Sequence, residues 1–341
     1  MNASLVDPCR GASVVARTPL LYRRGADATL DRPPHVRAGS ALAELPGGSL
    51  AVIQDDACFL AIIDAASGAV IDVPFPGGAP RQFDDLRGNK KKKLDLEAVF
   101  VARGASGTSG ESGGVLVALG SGSSPLRERV VMVEDPAGVA PRVAIVDAHE
   151  LYARLRADRS FSGAELNIEG AAIVGEDVVL FQRGNGAPLA YAGGDIEAID
   201  ATARLALAPL LAYLRKEGPL PVVREVRSWN LGAVEGHRLS FTDGAVHPNG
   251  RLGFLACAED CPDATRDGPV LAVMLGCLEE SAGVCALGVV LDERGAPLLD
   301  KAEGLVFDAS NPTRAFVVTD CDTPDAPSEL LELRLGDAWA R

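Results

Sequence analysis

A short acidic motif recurs along this 341-residue chain, and that recurrence constrains the fold more than any other feature. Lys301-Ala302-Glu303-Gly304-Leu305-Val306-Phe307 shares its plan with three other stretches: Leu94-Asp95-Leu96-Glu97-Ala98-Val99-Phe100, Leu166-Asn167-Ile168-Glu169-Gly170-Ala171-Ala172 and Ser240-Phe241-Thr242-Asp243-Gly244-Ala245-Val246. Each places one acid before a small residue and a short apolar run, with a second apolar run about ten residues on. Arg37-Ala38-Gly39-Ser40-Ala41-Leu42-Ala43 reads as a degenerate fifth copy, with Ser40 at the acidic position. The marked positions 40, 97, 169, 243 and 303 lie 57 to 74 residues apart. A four-stranded propeller blade needs roughly 40–50 residues, so the spacing predicts blades with enlarged loops or inserted helices.

The expected fold is therefore an all-β, five-bladed β-propeller of four-stranded antiparallel blades, with six blades as the alternative. Residues 1–12 read as a loose terminus. Residues 13–22 read as an isolated strand that completes a last unit otherwise one strand short, and residues 38–337 as the blades. Within 195–216 the residues Ile196, Ile199, Leu205, Leu207, Leu210, Leu211 and Leu214 recur at helix-compatible spacing, which predicts one inserted helix. All of this reads as one domain.

Composition sets the bounds. The apolar fraction of 47% fills a core, and with aromatics at only 5% that core must be Val, Leu, Ala and Ile. A formal charge of −14 disfavours nucleic acid and anionic membrane surfaces as partners. No run reaches the ~20 apolar residues of a membrane span, and the first residues lack an export pattern, so a cytoplasmic location is the expectation. The seven cysteines show no zinc-finger spacing and read as small hydrophobes or incidental residues.

In a propeller the first strand of each blade lines the axis, so equivalent positions converge on one point. Glu97, Glu169, Asp243 and Glu303 are then expected to form a ring of carboxylates needing protons, Lys or Arg, or a metal to coexist. All-oxygen ligation suits Ca²⁺, and Mg²⁺ or Mn²⁺ as alternatives, better than zinc. In a purely structural reading the same acids cap strands in an open channel.

The loops after each second strand should ring the mouth. Ser121, Ser124 and Arg127 in one, with Ser123 beside them, and Arg183 and Asn185 in the next, are the candidate contacts for a small anionic molecule. Lys301, two residues before Glu303, and Lys93, four before Glu97, can reach the ring, although Lys90–Lys93 as a run reads as a solvated loop. His247 reads as an exposed turn residue, and His237 as a candidate overlooking the channel. No nucleophile elbow, Walker loop, metallopeptidase motif or dinucleotide fingerprint is present.

At Asp95-Leu96-Glu97-Ala98, Asn167-Ile168-Glu169-Gly170, Thr242-Asp243-Gly244-Ala245 and Ala302-Glu303-Gly304-Leu305 the chain resembles bacterial β-propellers of the SdiA-regulated and phytase-like (esterase-like) groups. The resemblance covers roughly residues 38–337. It implies a metal, typically calcium, in or near the axis, held by Glu97, Glu169, Asp243 and Glu303; Ser40 departs from the acidic pattern. The leading expectation is metal-assisted hydrolysis of a small anionic ester, a phosphoester or lactone, with Glu169, Glu303 and Lys301 as the catalytic groups. The competing expectation is a non-catalytic propeller that binds a metabolite or a protein and uses its cation only structurally.

Overall fold

The computed structural model describes residues 10–64, 67–103, 113–185, 189, 195–260, 268–279 and 283–340. Most of the expected loose terminus (residues 1–9) and of the glycine- and serine-rich loop (104–112) lies outside the described residues.

After β1 (Ala12–Pro19) the chain builds an antiparallel sheet of β2 (Gly39–Glu44), β3 (Leu50–Gln54), β4 (Phe59–Ile63) and β5 (Val70–Pro74). Two more four-stranded antiparallel sheets follow: β6 (Leu96–Ala102), β7 (Val115–Gly120), β8 (Arg129–Glu134) and β9 (Arg142–Asp147), then β10 (Ile168–Val174), β11 (Asp177–Gln182), β12 (Asp200–Ala206) and β13 (Val223–Trp229). The remaining strands are β14 (Ala233–Val234), β15 (His237–Val246), β16 (Leu252–Glu259), β17 (Val270–Glu279), β18 (Gly283–Leu291), β19 (Lys301–Phe307), β20 (Arg314–Asp320) and β21 (Glu329–Leu335). They form one nine-stranded sheet in the order β14-β15-β16-β17-β18-β1-β21-β20-β19. Within it β1 pairs antiparallel with β21 from Ala12 to Pro19, but touches β18 in parallel over Ala12 and Ser13 alone.

The strands β2, β6, β10, β15 and β19 pack side by side in a closed cycle, each on the next and β19 back on β2. Sheets radiating from such a ring define a β-propeller arrangement. Four hydrophobic clusters fill the wedges between neighbouring sheets, and a fifth lies between the two halves of the nine-stranded sheet. Strands such as β3 and β4 are buried at every position, which explains their unbroken apolar sequences Leu50-Ala51-Val52-Ile53 and Phe59-Leu60-Ala61-Ile62-Ile63. Aliphatic residues dominate these wedges, and Phe181, Phe241 and Phe254 supply an edge-to-face stack with 5.2 Å between successive centroids.

Helix lies where the sequence allowed it only in part. Residues 200–206 are strand β12, and the helix that follows is short, Leu207–Leu214. Ala201, Ala203 and Leu205 alternate into the core and specify a strand, while Leu210 and Leu214, four apart, are the buried face of the helix; a single window over both segments mimics one longer helix. With α1 (His149–Ala157) and α2 (Arg159–Ser162), this helix closes the outer side of the wedge between the second and third sheets. No helix among the described residues is long and apolar enough to cross a membrane.

Two further readings are corrected here. Cys277 and Cys285 stand opposite each other on β17 and β18 and form a disulfide, so they do not act as free small hydrophobes. His247 is buried against Phe307 and Trp339, with Nε2 2.8 Å from the Pro312 carbonyl oxygen, because the turn it opens folds onto the last sheet.

The small residues that follow the repeated acids let the inner strands approach. A Cβ on Gly304 would lie 2.6 Å from the Leu42 nitrogen and 2.8 Å from the Ala41 carbonyl carbon, both backbone atoms of the next strand. Gly304→Ala is therefore expected to cost about 1–3 kcal/mol through overpacking, read as a lower denaturant midpoint with an unchanged slope. An unchanged midpoint would contradict this packing.

Candidate functional site

The ring position is built by a repeated backbone device. In every inner strand the pairing register breaks at one residue: Ser40, Glu97, Glu169, Thr242 and Glu303. A bulge re-aims its side chain out of the ladder. Here the bulged residues form the equivalent set, so the fourth member is Thr242 and not Asp243.

Asp243 occupies the place where the other strands carry Ala41, Ala98, Gly170 and Gly304. It is fully buried, its Oδ1 accepts from the Gly244 N–H and its Oδ2 accepts from the Leu305 N–H at 2.7 Å, tying β15 to β19. Gly170 makes room for it, since a Cβ there would fall 2.9 Å from Asp243 Oδ1. Asp243 is a structural tie, and its carboxylate is committed to backbone donors. Ser40 and Thr242 likewise donate to carbonyl oxygens of the next inner strand, those of Leu96 and Ala302. Three carboxylates thus remain at bulged positions.

Glu97, Glu169 and Glu303 line one cavity of about 790 Å³, together with Lys301, Ser124, Arg127, Arg183 and Asn185. Ser121 lies behind the wall, where its hydroxyl donates to Asp95. His237 is not on the wall and stands 3.8 Å from Asp260. The wall also carries Arg37, Asp55, Asp56, Asp84, Lys93, Asp95, Asp320 and Asp322, and in total eleven carboxylates face seven cations on it.

The charges fall into three groups. In the first, Lys93 pairs with Asp55 and with Asp95 at 2.8 Å, and Arg127 reaches Asp95 at 3.0 Å. Lys93 is thus buried in the shaft rather than part of a solvated run, while Lys90–Lys92 form an exposed 3₁₀ turn. Burial opposes the Lys93 charge, yet Asp55, Asp95 and Glu97 override it and raise its pKa well above the usual lysine value. In the second, Arg183 holds Glu259 at 2.7 Å and Glu169 at 3.6 Å, and Asn167 donates to Glu169 at 2.6 Å. Lys301 serves Asp322 at 3.1 Å, Asp320 at 3.3 Å and Glu303 at 3.7 Å. In the third, Arg37 binds Asp56 at 2.7 Å and Asp84 at 3.2 Å.

Desolvation dominates the proton affinities. It pushes Glu97 and Glu303 well above the usual carboxylate range, with Asp55 and Asp95 adding to the effect at Glu97 and Lys301 and Arg183 opposing it at Glu303. Glu169 is raised to about 7 by burial against the opposing pull of Arg183 and Lys301, and Asp56 also to about 7 by burial with Asp55 nearby. Asp55 Oδ1, Asp56 Oδ1 and Glu303 Oε2 are buried with no hydrogen-bond partner among the described residues.

Oxygens of Asp55, Asp95 and Glu97 lie within 4.8 Å of one another, a spacing compatible with one cation. Their all-carboxylate chemistry suits Ca²⁺ or Mg²⁺, provided that Lys93 swings away. The expected set Glu97, Glu169, Asp243 and Glu303 is not gathered in this way, because Asp243 is bonded to backbone and Glu169 and Glu303 face Arg183 and Lys301. Asp95 stands two residues before Glu97, as Asn167 does before Glu169 and Lys301 before Glu303. The recurring two-residue spacing was the available signal for these partners. Arg37 opens the fifth copy of the repeat, three residues before Ser40, whereas Asp84 comes from a loop with no pattern that could have marked it.

The sequence matches the model of a family of unknown function (DUF6929) over residues 35–335, and the chain belongs to that family. No curated protein is significantly similar. Similar solved structures include the PQQ-bound aldose sugar dehydrogenase of Streptomyces coelicolor, at 13% identity and a TM-score of 0.44, covering 94% of this chain and 98% of that one. The α-L-arabinofuranosidase of Fusarium graminearum with arabinobiose has 9% identity, a TM-score of 0.45 and the same coverage, 94% and 98%. The Penicillium chrysogenum α-L-arabinanase has 9% identity and a TM-score of 0.44, covering 87% and 93%. At these levels they carry no functional argument; the fold rests on the strand pairing of the chain itself.

The raised carboxyls give stability a direction in pH. Below about 4.5 Glu169 is protonated in both folded and unfolded states, between there and about 7 only the folded state keeps the proton, and above that both are ionised. Stability should therefore fall as pH rises from 5 to 8, with Glu169 contributing a loss on the order of 2 kcal/mol. Urea midpoints across this range should drop in the native chain and drop less in Glu169→Gln; identical slopes would contradict the assignment.

Proposed function

We propose that this chain is a five-bladed propeller, the nine-stranded sheet counting as two blades, whose axial shaft hydrolyses a small carbonyl ester such as a lactone. The observation that carries this reading is the placement of Glu169 and Glu303 on one cavity wall beside Arg183 and Lys301. Two carboxyls with different surroundings in one site can divide acid and base roles. Of the two ester classes, the surplus of carboxylates favours an uncharged lactone over a phosphoester.

In this mechanism Glu169, as carboxylate, takes a proton from the water that attacks the ester carbonyl. Arg183 and Lys301 stabilise the negative charge that develops on the carbonyl oxygen. The bond to the alkoxy oxygen then breaks, and Glu303, which burial keeps protonated, returns a proton to that oxygen. Ser124, Arg127 and Asn185 line the approach. Asp55, Asp95 and Glu97 would hold a divalent cation, with Ca²⁺ the best chemical fit, which would supply positive potential to the shaft.

A binding role without turnover draws support from one feature: Lys93, Arg183 and Lys301 are each shared between at least two carboxylates, which is also how a static charge network is built. The two readings separate in a lactone and ester panel assayed with Ca²⁺, Mg²⁺ or Mn²⁺. Turnover is expected, with Glu169→Gln losing about 10²–10⁴-fold in kcat while remaining folded. Failure of the whole panel would leave the binding role.

A further inference from the structure

We propose that the ligand of the shaft carries an alkyl or acyl chain, which rests on an apolar lip made by Leu86 and Leu126 while the polar head enters among the carboxylates. This deepens the hydrolytic reading by naming the substrate class, and rests on it only for the nature of the head group.

Leu86 is 89% exposed and Leu126 is 54% exposed, and both belong to the wall of the axial cavity. Leu86 lies in the loop between β5 and β6, and Leu126 in the 3₁₀ turn between β7 and β8, so neighbouring sheets each contribute one leucine to the mouth. Phe83, Pro125 and Pro324 extend the apolar surface there. Neither leucine is part of the five hydrophobic clusters that fill the core. Their sequence neighbours are polar, Asp84 and Asp85 before Leu86 and Arg127 after Leu126, so the lip stands out within a charged rim.

One continuous wall thus runs from exposed aliphatic carbon at the mouth to clustered carboxylates at depth. A wholly polar ligand would leave both leucines in water. A ligand with a polar head and a short chain would cover them, and each covered methylene would add affinity through the apolar area removed from solvent.

The test uses the full chain and a series of γ-lactones, from γ-butyrolactone without a side chain to γ-decalactone with six side-chain carbons. Binding is read by calorimetry and turnover by titration of released acid. Affinity is expected to rise about twofold per added carbon, half the gain of full burial. In the double variant Leu86→Ser/Leu126→Ser the rise should disappear while γ-butyrolactone binds unchanged, with an unaltered melting temperature as the control for folding. A flat series in the native chain, an equal slope in the double variant, or no binding by any lactone would overturn the proposal. Chain-dependent binding without turnover would keep the lip and remove hydrolysis, whereas turnover with a chain-independent KM would keep hydrolysis and remove the lip.

Discussion

Among the described residues, ion pairs in and beside the axial shaft join nine acids to only five cations, and the rest of the molecule is arranged to sustain that imbalance. Lys93 stands between Asp55 of the first sheet and Asp95 of the second, and Arg183 between Glu169 of the third sheet and Glu259 of the nine-stranded one, so these ion pairs also fasten neighbouring parts of the ring; Arg37, Arg127 and Lys301 pair within one part of it. Like charges at this density repel strongly in a poorly solvated space. The closed cycle of inner strands, with bulges that turn Glu97, Glu169 and Glu303 onto the axis, imposes the crowding, and aliphatic packing between the sheets holds it in place.

The two small hydroxyl residues at bulged positions make the ring possible. Ser40 and Thr242 spend their side chains on carbonyls of the adjacent strand and bring no charge. Asp243, displaced by one residue from the bulge, is turned to backbone donors. A carboxylate at all five bulged positions would add two charges where acids already outnumber cations. The division into three acids and two hydroxyls limits the negative charge that the axis must hold.

Much of this was legible in the repeat. The acid, the small residue and the apolar run mark the inner strand because each answers a separate need: a side chain on the axis, close approach of strands, and burial on both faces. Glu97, Glu169 and Glu303 could be placed together for that reason. The assignment of Asp243 went astray because a bulge shifts the register by one residue, and Thr242-Asp243 offers a polar side chain at both positions. The 195–216 segment misled through its leucines, since the strand β12 and the short helix after it share a spacing that only tertiary packing separates. His247 followed its turn-forming neighbours in sequence, but the site it occupies is made by Phe307 and Trp339, far along the chain. Partners drawn from loops outside the repeat, Asp84 among them, carry no periodic signal and emerge only from the folded arrangement.

Burial in the shaft favours protonated carboxyls at a pH where ordinary glutamates are ionised. The most direct measurement is a carbon NMR titration of protein labelled at glutamate side-chain carboxyls, with Glu169→Gln and Glu303→Gln used to assign the resonances. One midpoint near 7 that vanishes in Glu169→Gln is expected, together with a resonance, lost in Glu303→Gln, that titrates well above the ordinary range. A set of glutamates that all titrate near the ordinary value of about 4.3 would contradict it.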